Sequence, residues 1–261
     1  MSDSTDKKNG EESEELAEGT LLSHLVELRS RLLKISAAVV VVFIALLPFS
    51  RKIFSLVSEP LREVLPGNAM IATAVASPLL TPFKLTFFTA LFIAMPVVLY
   101  QVWAFVAPGL YRKEKRFAIP LLASSILLFY LGIAFAYFVV FPLMFSFFTS
   151  IAPEGVEVQT DIAQFLDFVT TIVFAFGLAF EVPIATVLIV WTGLVSIEKL
   201  RAARAYVFLG AFIVGMFLTP PDVLSQSLLA VPVYLLYELG IVMARVFAIR
   251  EEPEPGTEPN R

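Results

Sequence analysis

The 261-residue chain contains no cysteine and one histidine, His24. Without thiols it can form no disulfide, no thiolate metal centre and no cysteine nucleophile, and one imidazole leaves little for histidine chemistry. It also has no glycine-rich phosphate loop with its lysine, no Ser/His/Asp set and no HExxH motif. The sequence therefore supplies neither nucleotide hydrolysis nor peptide-bond chemistry. Charge is scarce as well, since Asp, Glu, Lys and Arg make up only 16% of the residues. These absences point away from catalysis. The expectation is a protein that is not an enzyme, with no catalytic residue, no metal, no cofactor and no nucleic-acid partner.

Apolar residues fill the gap. The chain is 58% hydrophobic and 13% aromatic, with a mean hydropathy of +0.83, outside the range of a soluble domain of this length. It reads as an integral membrane protein. Acidic residues are concentrated in the polar ends 1–19 and 251–261, which read as disordered tails. The expected organisation is a cytoplasmic tail over 1–21, a transmembrane domain over 22–250 and a second cytoplasmic tail over 251–261. The first apolar segment follows an acidic leader without a small-residue cleavage pattern, so it is expected to be a retained span rather than a signal peptide.

Apolar runs suited to crossing hydrocarbon, which takes about 20 helical residues, cover 32–49, 82–106, 117–141 and 164–191, followed by 205–219 and 223–247. The fifth is short, and the sixth contains Pro232 and Glu238. A short span must thin the bilayer locally or shelter against its neighbours. Because only helices or closed barrels satisfy their backbones in lipid, these runs predict an all-α polytopic bundle of six transmembrane helices. With the N-terminus inside, every lysine and arginine except Arg51, Lys52, Arg62 and Lys84 falls on the cytoplasmic side. The positive-inside rule thus predicts both termini in the cytoplasm. The first external connection, 50–81, mixes Ile53, Phe54, Leu56, Val57 and Leu61 with Arg51, Lys52, Glu59, Arg62 and Glu63. It reads as an amphipathic interfacial helix around Pro60 that either caps the core or meets a partner. The connection 143–163 has acids but no basic residue and reads as an external loop.

Several ionisable groups stand out against this background. Glu181 is the sole charge in the run from Ile172 to Trp191, and an acid at a helix centre costs about 2.5 to 3.5 kcal/mol on insertion scales. Pro183, lacking an N–H, should free the carbonyl of Ala179 and kink the same helix. Glu27 and Glu114 each sit among basic residues at cytoplasmic helix ends. Glu27 can pair locally with Arg31 at i+4 and Glu114 with Lys113 or Lys115, or the two carboxylates can together receive a cationic ligand such as adjacent arginines. The surrounding basic residues suit anionic lipid headgroups. Glu238 can face the interior or pair with Arg245, and Lys84 is expected to snorkel outward. Ser23 is a candidate cap of the first helix and Asp222 of the last. Met216, Thr219, Ser225 and Gln226 form a polar cluster around Pro220 and Pro221, with Ala211 and Gly215 spaced for close backbone approach. Internal packing and the docking of another transmembrane helix both explain that cluster.

Five segments, in order along the chain, carry a family resemblance: HLVELRSRL from His24, MIATAVASPLLTPFKL from Met70, YQVWAFVAPGLY from Tyr100, FAFGLAFEVP from Phe174 and GMFLTPPDVLSQ from Gly215. Over 22–250 the chain resembles TatC, the multi-spanning core subunit of the twin-arginine protein translocase, in a proteobacterial-type form. The resemblance implies a concave, cup-shaped six-helix bundle in the bacterial inner membrane. It implies that Glu27 and Glu114 receive the paired arginines of a signal peptide, with His24, Leu28, Arg29 and Phe105 on the same surface. It further implies that Glu181 faces the cup, and that Met216, Thr219 and Gln226 dock the transmembrane helix of a single-span partner, TatB or TatA. The expected partners are thus TatA, TatB, signal peptides of folded precursors, further copies of the chain and membrane lipid, with transport driven by the protonmotive force. The alternative is a proton-coupled small-solute carrier using Glu181 as relay, disfavoured by the lack of an internal repeat.

Overall fold

The computed structural model describes residues 3–64, 70–106, 118–151, 160–219 and 222–249. Among these the architecture is all-α, and the only extended pairing is an isolated parallel bridge between Ile71 and Asp161. The first helix, α1 (Asp3–Leu46), passes through a 3-10 turn at Leu47–Phe49 into α2 (Ser50–Val64). α1 starts well before the apolar run, so Ser23 lies inside a helix rather than at its cap. The leader expected as an irregular tail is thus helical from Asp3. Its glutamates, lysines and leucines are good helix formers, and a helix once nucleated by the packed apolar part propagates at little further cost. α2 is the expected amphipathic helix: Ser58 is buried, Arg51 and Lys52 are exposed, and the Tyr137 hydroxyl donates to the Leu56 carbonyl at 3.1 Å.

Prolines break the long spans into pieces. α3 (Ser77–Ile93) and α4 (Met95–Val106) meet at Ala94 with a 49° bend, where Pro96 opens α4 without an N–H to donate. α5 (Ala118–Phe135) runs through a π-helical turn, Ala136–Val140, into α6 (Phe141–Ser150) just before Pro142. Residues 143–150, expected within an external loop, are therefore helical, and the span Ile119–Ser150 is 32 residues long. α7 (Ile162–Ala179) and α8 (Val182–Trp191) are divided at Phe180 and Glu181, where the Glu181 N–H turns back to the Leu178 carbonyl at 3.0 Å. The break expected from Pro183 falls there. α9 (Ile197–Ala202), α10 (Arg204–Leu218) and α11 (Val223–Ile249) complete the described elements, and α11 runs continuously through Pro232.

Among the described residues four helical segments can cross a membrane by length and composition, and the bent pair α3–α4, taken as one span, makes five. α10, with 15 residues, is about 22 Å long at 1.5 Å per residue, short of a hydrocarbon core of about 30 Å. The segment Ile162–Trp191 is the centre of the bundle, 56% of its most apolar stretch being buried against 6% for α1. Its core is aromatic: Phe141, Phe145, Phe165, Phe176 and Phe180 pack with Ile172, Met144 and Leu229. Phe141 stacks on Phe145 with centroids 5.6 Å apart. Glycines let the backbones meet, since a Cβ on Gly132 of α5 would lie 2.5 Å from the Phe176 carbonyl oxygen of α7. Small residues serve such contacts in lipid because they admit close approach, and dispersion then grows with proximity.

Candidate functional site

Near one end of the bundle α1 packs against α4, and a guanidinium joins them. Glu27 and Arg31 form the i, i+4 pair, with the Arg31 Nε donating to Glu27 Oε1 at 3.0 Å and Nη2 donating to the same oxygen. Arg31 also donates from Nη2 to the Ala104 carbonyl at 2.9 Å and from Nη1 to Gln101 Oε1 at 3.3 Å. Ala104 lies in the last turn of α4, where carbonyls have no intrahelical donor, so the arginine satisfies that helix end as well as the carboxylate. The Arg31 side chain is 18% exposed and that of Glu27 36%. Leu28, Arg29, Leu25 and Leu32 are exposed around Glu27, and Phe105, next to Ala104, is half-buried. The structure thus brings Glu27, Leu28 and Arg29 to one exposed stretch of α1 and ties it to the end of α4 that carries Phe105. Glu114 and the His24 side chain lie outside the described residues.

At mid-span, Glu181 is half-buried and its Oε2 accepts a hydrogen bond from the Ser125 hydroxyl of α5. Ser125 is 1% exposed. The other carboxyl oxygen, Oε1, is buried without a hydrogen-bond partner among the described residues. The polar defect expected from sequence is therefore half satisfied by a neighbouring helix and half open.

Around α10 and α11, Met216 is exposed, Gln226 half-buried, and Thr219 buried with its hydroxyl donating to the Gly215 carbonyl at 2.9 Å. Asp222 caps α11 as expected, its Oδ1 accepting from the Ser225 N–H at 2.7 Å. Ala211 and Gly215 are buried, with the Gly215 Cβ position 3.5 Å from Leu229 Cδ2. The small-residue face is thus used in packing α10 on α11, and Tyr206, Leu209, Met216 and Phe217 remain on the outside. Beside the start of α11 an apolar cavity of about 670 Å³ lies against Phe135, Val140, Phe147, Leu228 and Val231.

Further polar contacts were not read from the sequence. Glu238 pairs with Arg204 of α10, Nε to Oε1 at 2.7 Å, and accepts from the Tyr234 hydroxyl at 3.1 Å, so its partner is Arg204 and not Arg245. Arg245 is seven residues along the same helix, whereas α10 lies directly against α11. Lys84 does not snorkel alone but forms an ion pair with Asp167 of α7. Asp161 caps α7 through Oδ1, accepting from the Ala163 N–H at 2.8 Å and the Gln164 N–H at 3.2 Å. Its Oδ2 accepts from the Thr73 hydroxyl at 2.7 Å and the Thr73 N–H at 2.8 Å. The Thr73 hydroxyl and amide, with the cap amides, hold this carboxyl down at about 2. Ile71 makes both main-chain bonds of the bridge, its N–H donating to the Thr160 carbonyl at 3.1 Å and its carbonyl accepting from the Ile162 N–H at 2.9 Å.

The family model described as Sec-independent protein translocase protein (TatC) matches residues 23–232, which hold Glu27, Glu181 and the α10–α11 cluster. The chain belongs to the TatC family. A TatC from Azotobacter chroococcum mcd 1 is 60% identical over 242 residues, covering 92% of this chain and 95% of that relative. TatC of Escherichia coli strain K12 is 58% identical over 228 residues, covering 87% and 88%. A solved structure titled as the twin-arginine translocase receptor TatC superposes with a TM-score of 0.78 at 36% identity, covering 86% of this chain and 99% of that one. TatC membership makes the chain a component of a protein translocase rather than an enzyme, and a multi-pass membrane protein of a bacterial translocase.

Proposed function

We propose that the chain is the receptor core of a twin-arginine translocase, binding the signal peptides of folded precursors at its cytoplasmic face. Glu27 and Glu114 hold the arginine pair, and His24, Leu28, Arg29 and Phe105 complete the surface. The observation that carries this reading is the half-exposed Glu27 carboxylate in an exposed apolar stretch of α1, inside a segment matched by the TatC family model. Carboxylates bind guanidinium groups through charge-assisted hydrogen bonds, and leucines beside them suit the apolar part of a signal peptide.

The six apolar segments form six spans of a cup-shaped bundle in the inner membrane, within residues 22–250, with both polar ends cytoplasmic. Basic residues fall overwhelmingly on that side. Glu181 faces the concave surface. Met216, Thr219 and Gln226 receive the helix of TatB or TatA, supported by the exposed outer face of α10. Further copies of the chain join the complex, and cargo crosses at the expense of the protonmotive force. Photocrosslinking from positions beside Glu27 to a twin-arginine precursor tests the reading. Glu27→Lys or Glu114→Lys should abolish crosslinks to the arginine pair while crosslinks from the apolar signal segment persist. Undiminished arginine-region crosslinks in both variants would refute it.

A further inference from the structure

We propose that Arg31 is a specificity-determining residue that makes Glu27 an incomplete arginine acceptor, so that one basic residue is not enough to bind. This rests on the reading of Glu27 as part of the peptide site. Both Arg31 donors that reach Glu27, Nε and Nη2, fall on Oε1. Among the described residues Oε2 accepts no hydrogen bond, and it is the oxygen we assign to a ligand. A free carboxylate takes an arginine fork with two parallel bonds, one on each oxygen. With Oε1 already holding two N–H groups, an incoming guanidinium is confined to a single-ended contact at Oε2. It also meets a carboxylate whose charge is already compensated within the protein.

Arg31 cannot easily leave this position. Nη2 bonds the Ala104 carbonyl at the end of α4 and Nη1 bonds Gln101, which is 8% exposed, while the arginine side chain is itself 18% exposed. Displacing it would strand a helix-terminal carbonyl and a buried amide oxygen as well as breaking an ion pair. Arg31 is therefore a fixed part of the site rather than a counterion waiting to be exchanged. The consequence is discrimination: a lone arginine or a lysine gains one weakened contact, and useful affinity requires a second basic residue on a second carboxylate.

The test compares crosslinking of an arginine-pair precursor and a lone-arginine precursor, with glutamine at the other position, to the full chain in membranes that contain its translocase partners, at a concentration that saturates the arginine pair. In Arg31→Gln the ratio of lone-arginine to arginine-pair crosslinking should rise roughly three- to tenfold, the range of one ordinary hydrogen bond gained at Glu27. Gln101→Ala, which loosens the anchor without touching Glu27, should raise the ratio in the same direction. Arg31→Lys keeps the charge beside Glu27 and should stay within about twofold of the native ratio. A purely structural role for Arg31 would lower binding of both precursors together, and an unchanged ratio in Arg31→Gln and Gln101→Ala overturns the proposal. If Arg31→Gln does not accumulate, the Gln101→Ala ratio decides alone. Glu27→Gln is the control for the underlying site: if it leaves arginine-pair crosslinks intact, the Glu27 reading fails and the proposal falls with it. If it removes them while the ratio is unmoved in the other variants, only the role of Arg31 fails.

Discussion

Replacing Gly132 by alanine tests whether the α5–α7 crossing is as tight as the backbones indicate. The added Cβ would sit 2.5 Å from the Phe176 carbonyl oxygen, 3.0 Å from its carbon and 3.1 Å from the Gly177 Cα. All three are main-chain atoms, so no rotamer change relieves them, and α7 must retreat by about 0.9 Å to reach ordinary contact at 3.4 Å. Retreat is resisted because Phe176 and Ile172 are fully buried and Phe135 packs its ring on Phe176 with centroids 5.5 Å apart. Overpacking a close contact costs about 1 to 3 kcal/mol, or roughly a five- to 150-fold change in the unfolding equilibrium. Chemical unfolding in mixed micelles reads this directly. Gly210→Ala is the matched control, because a Cβ there meets nothing within 4 Å and alanine is the better helix former. If Gly132→Ala proves as stable as Gly210→Ala, the crossing is not close-packed and the reasoning from backbone contact is wrong.

Asp161 should make the structure sensitive to strong acid. Its carboxyl is held at about 2 against an ordinary 3.8, so its contribution is present above about pH 4 and lost as pH falls through about 2. The gap in unfolding temperature between the native chain and Asp161→Asn should close over that window, and a gap that stays constant would show that the charge is not what binds Thr73. For Glu181, glutamine keeps an acceptor for the Ser125 hydroxyl, whereas alanine leaves a hydroxyl on a 1% exposed serine unpaired. Glu181→Ala should therefore unfold about 1 to 3 kcal/mol more easily than Glu181→Gln, and equal stability of the two would exclude the hydrogen bond as a support.

Some of this architecture could be read from residue order alone, and the parts that could not have a common cause. Hydropathy located the apolar segments because lipid imposes a simple length rule, and Pro183 announced the break at Phe180 and Glu181. The Glu27–Arg31 pair was legible because i, i+4 neighbours share a helix face. Pro96 and Pro142 were passed over, although the same missing N–H underlies the bend at Ala94 and the π-helical turn. The remaining contacts join residues far apart in sequence. Glu238 meets Arg204 across 34 positions, Lys84 meets Asp167 across 83, and Thr73 meets Asp161 across 88. No periodicity encodes such pairings, which follow from which helix lies beside which. Arg31 reaching Ala104 is the same case, because a local ion pair gave no sign of a second partner 73 positions away.

Two of the polar fastenings of the bent α3–α4 pair differ in kind. Just ahead of α3, a main-chain bridge and the Asp161 carboxylate, which accepts from both the hydroxyl and the N–H of Thr73, join the pair to the entry of α7. At the end of α4, beside the packed faces of the two helices, the polar link to α1 is the side chain of one arginine. The first joint is a rivet and the second a latch. A load that parts the ends of α1 and α4 therefore meets a single side chain as its polar resistance, and that side chain is the one that holds Glu27.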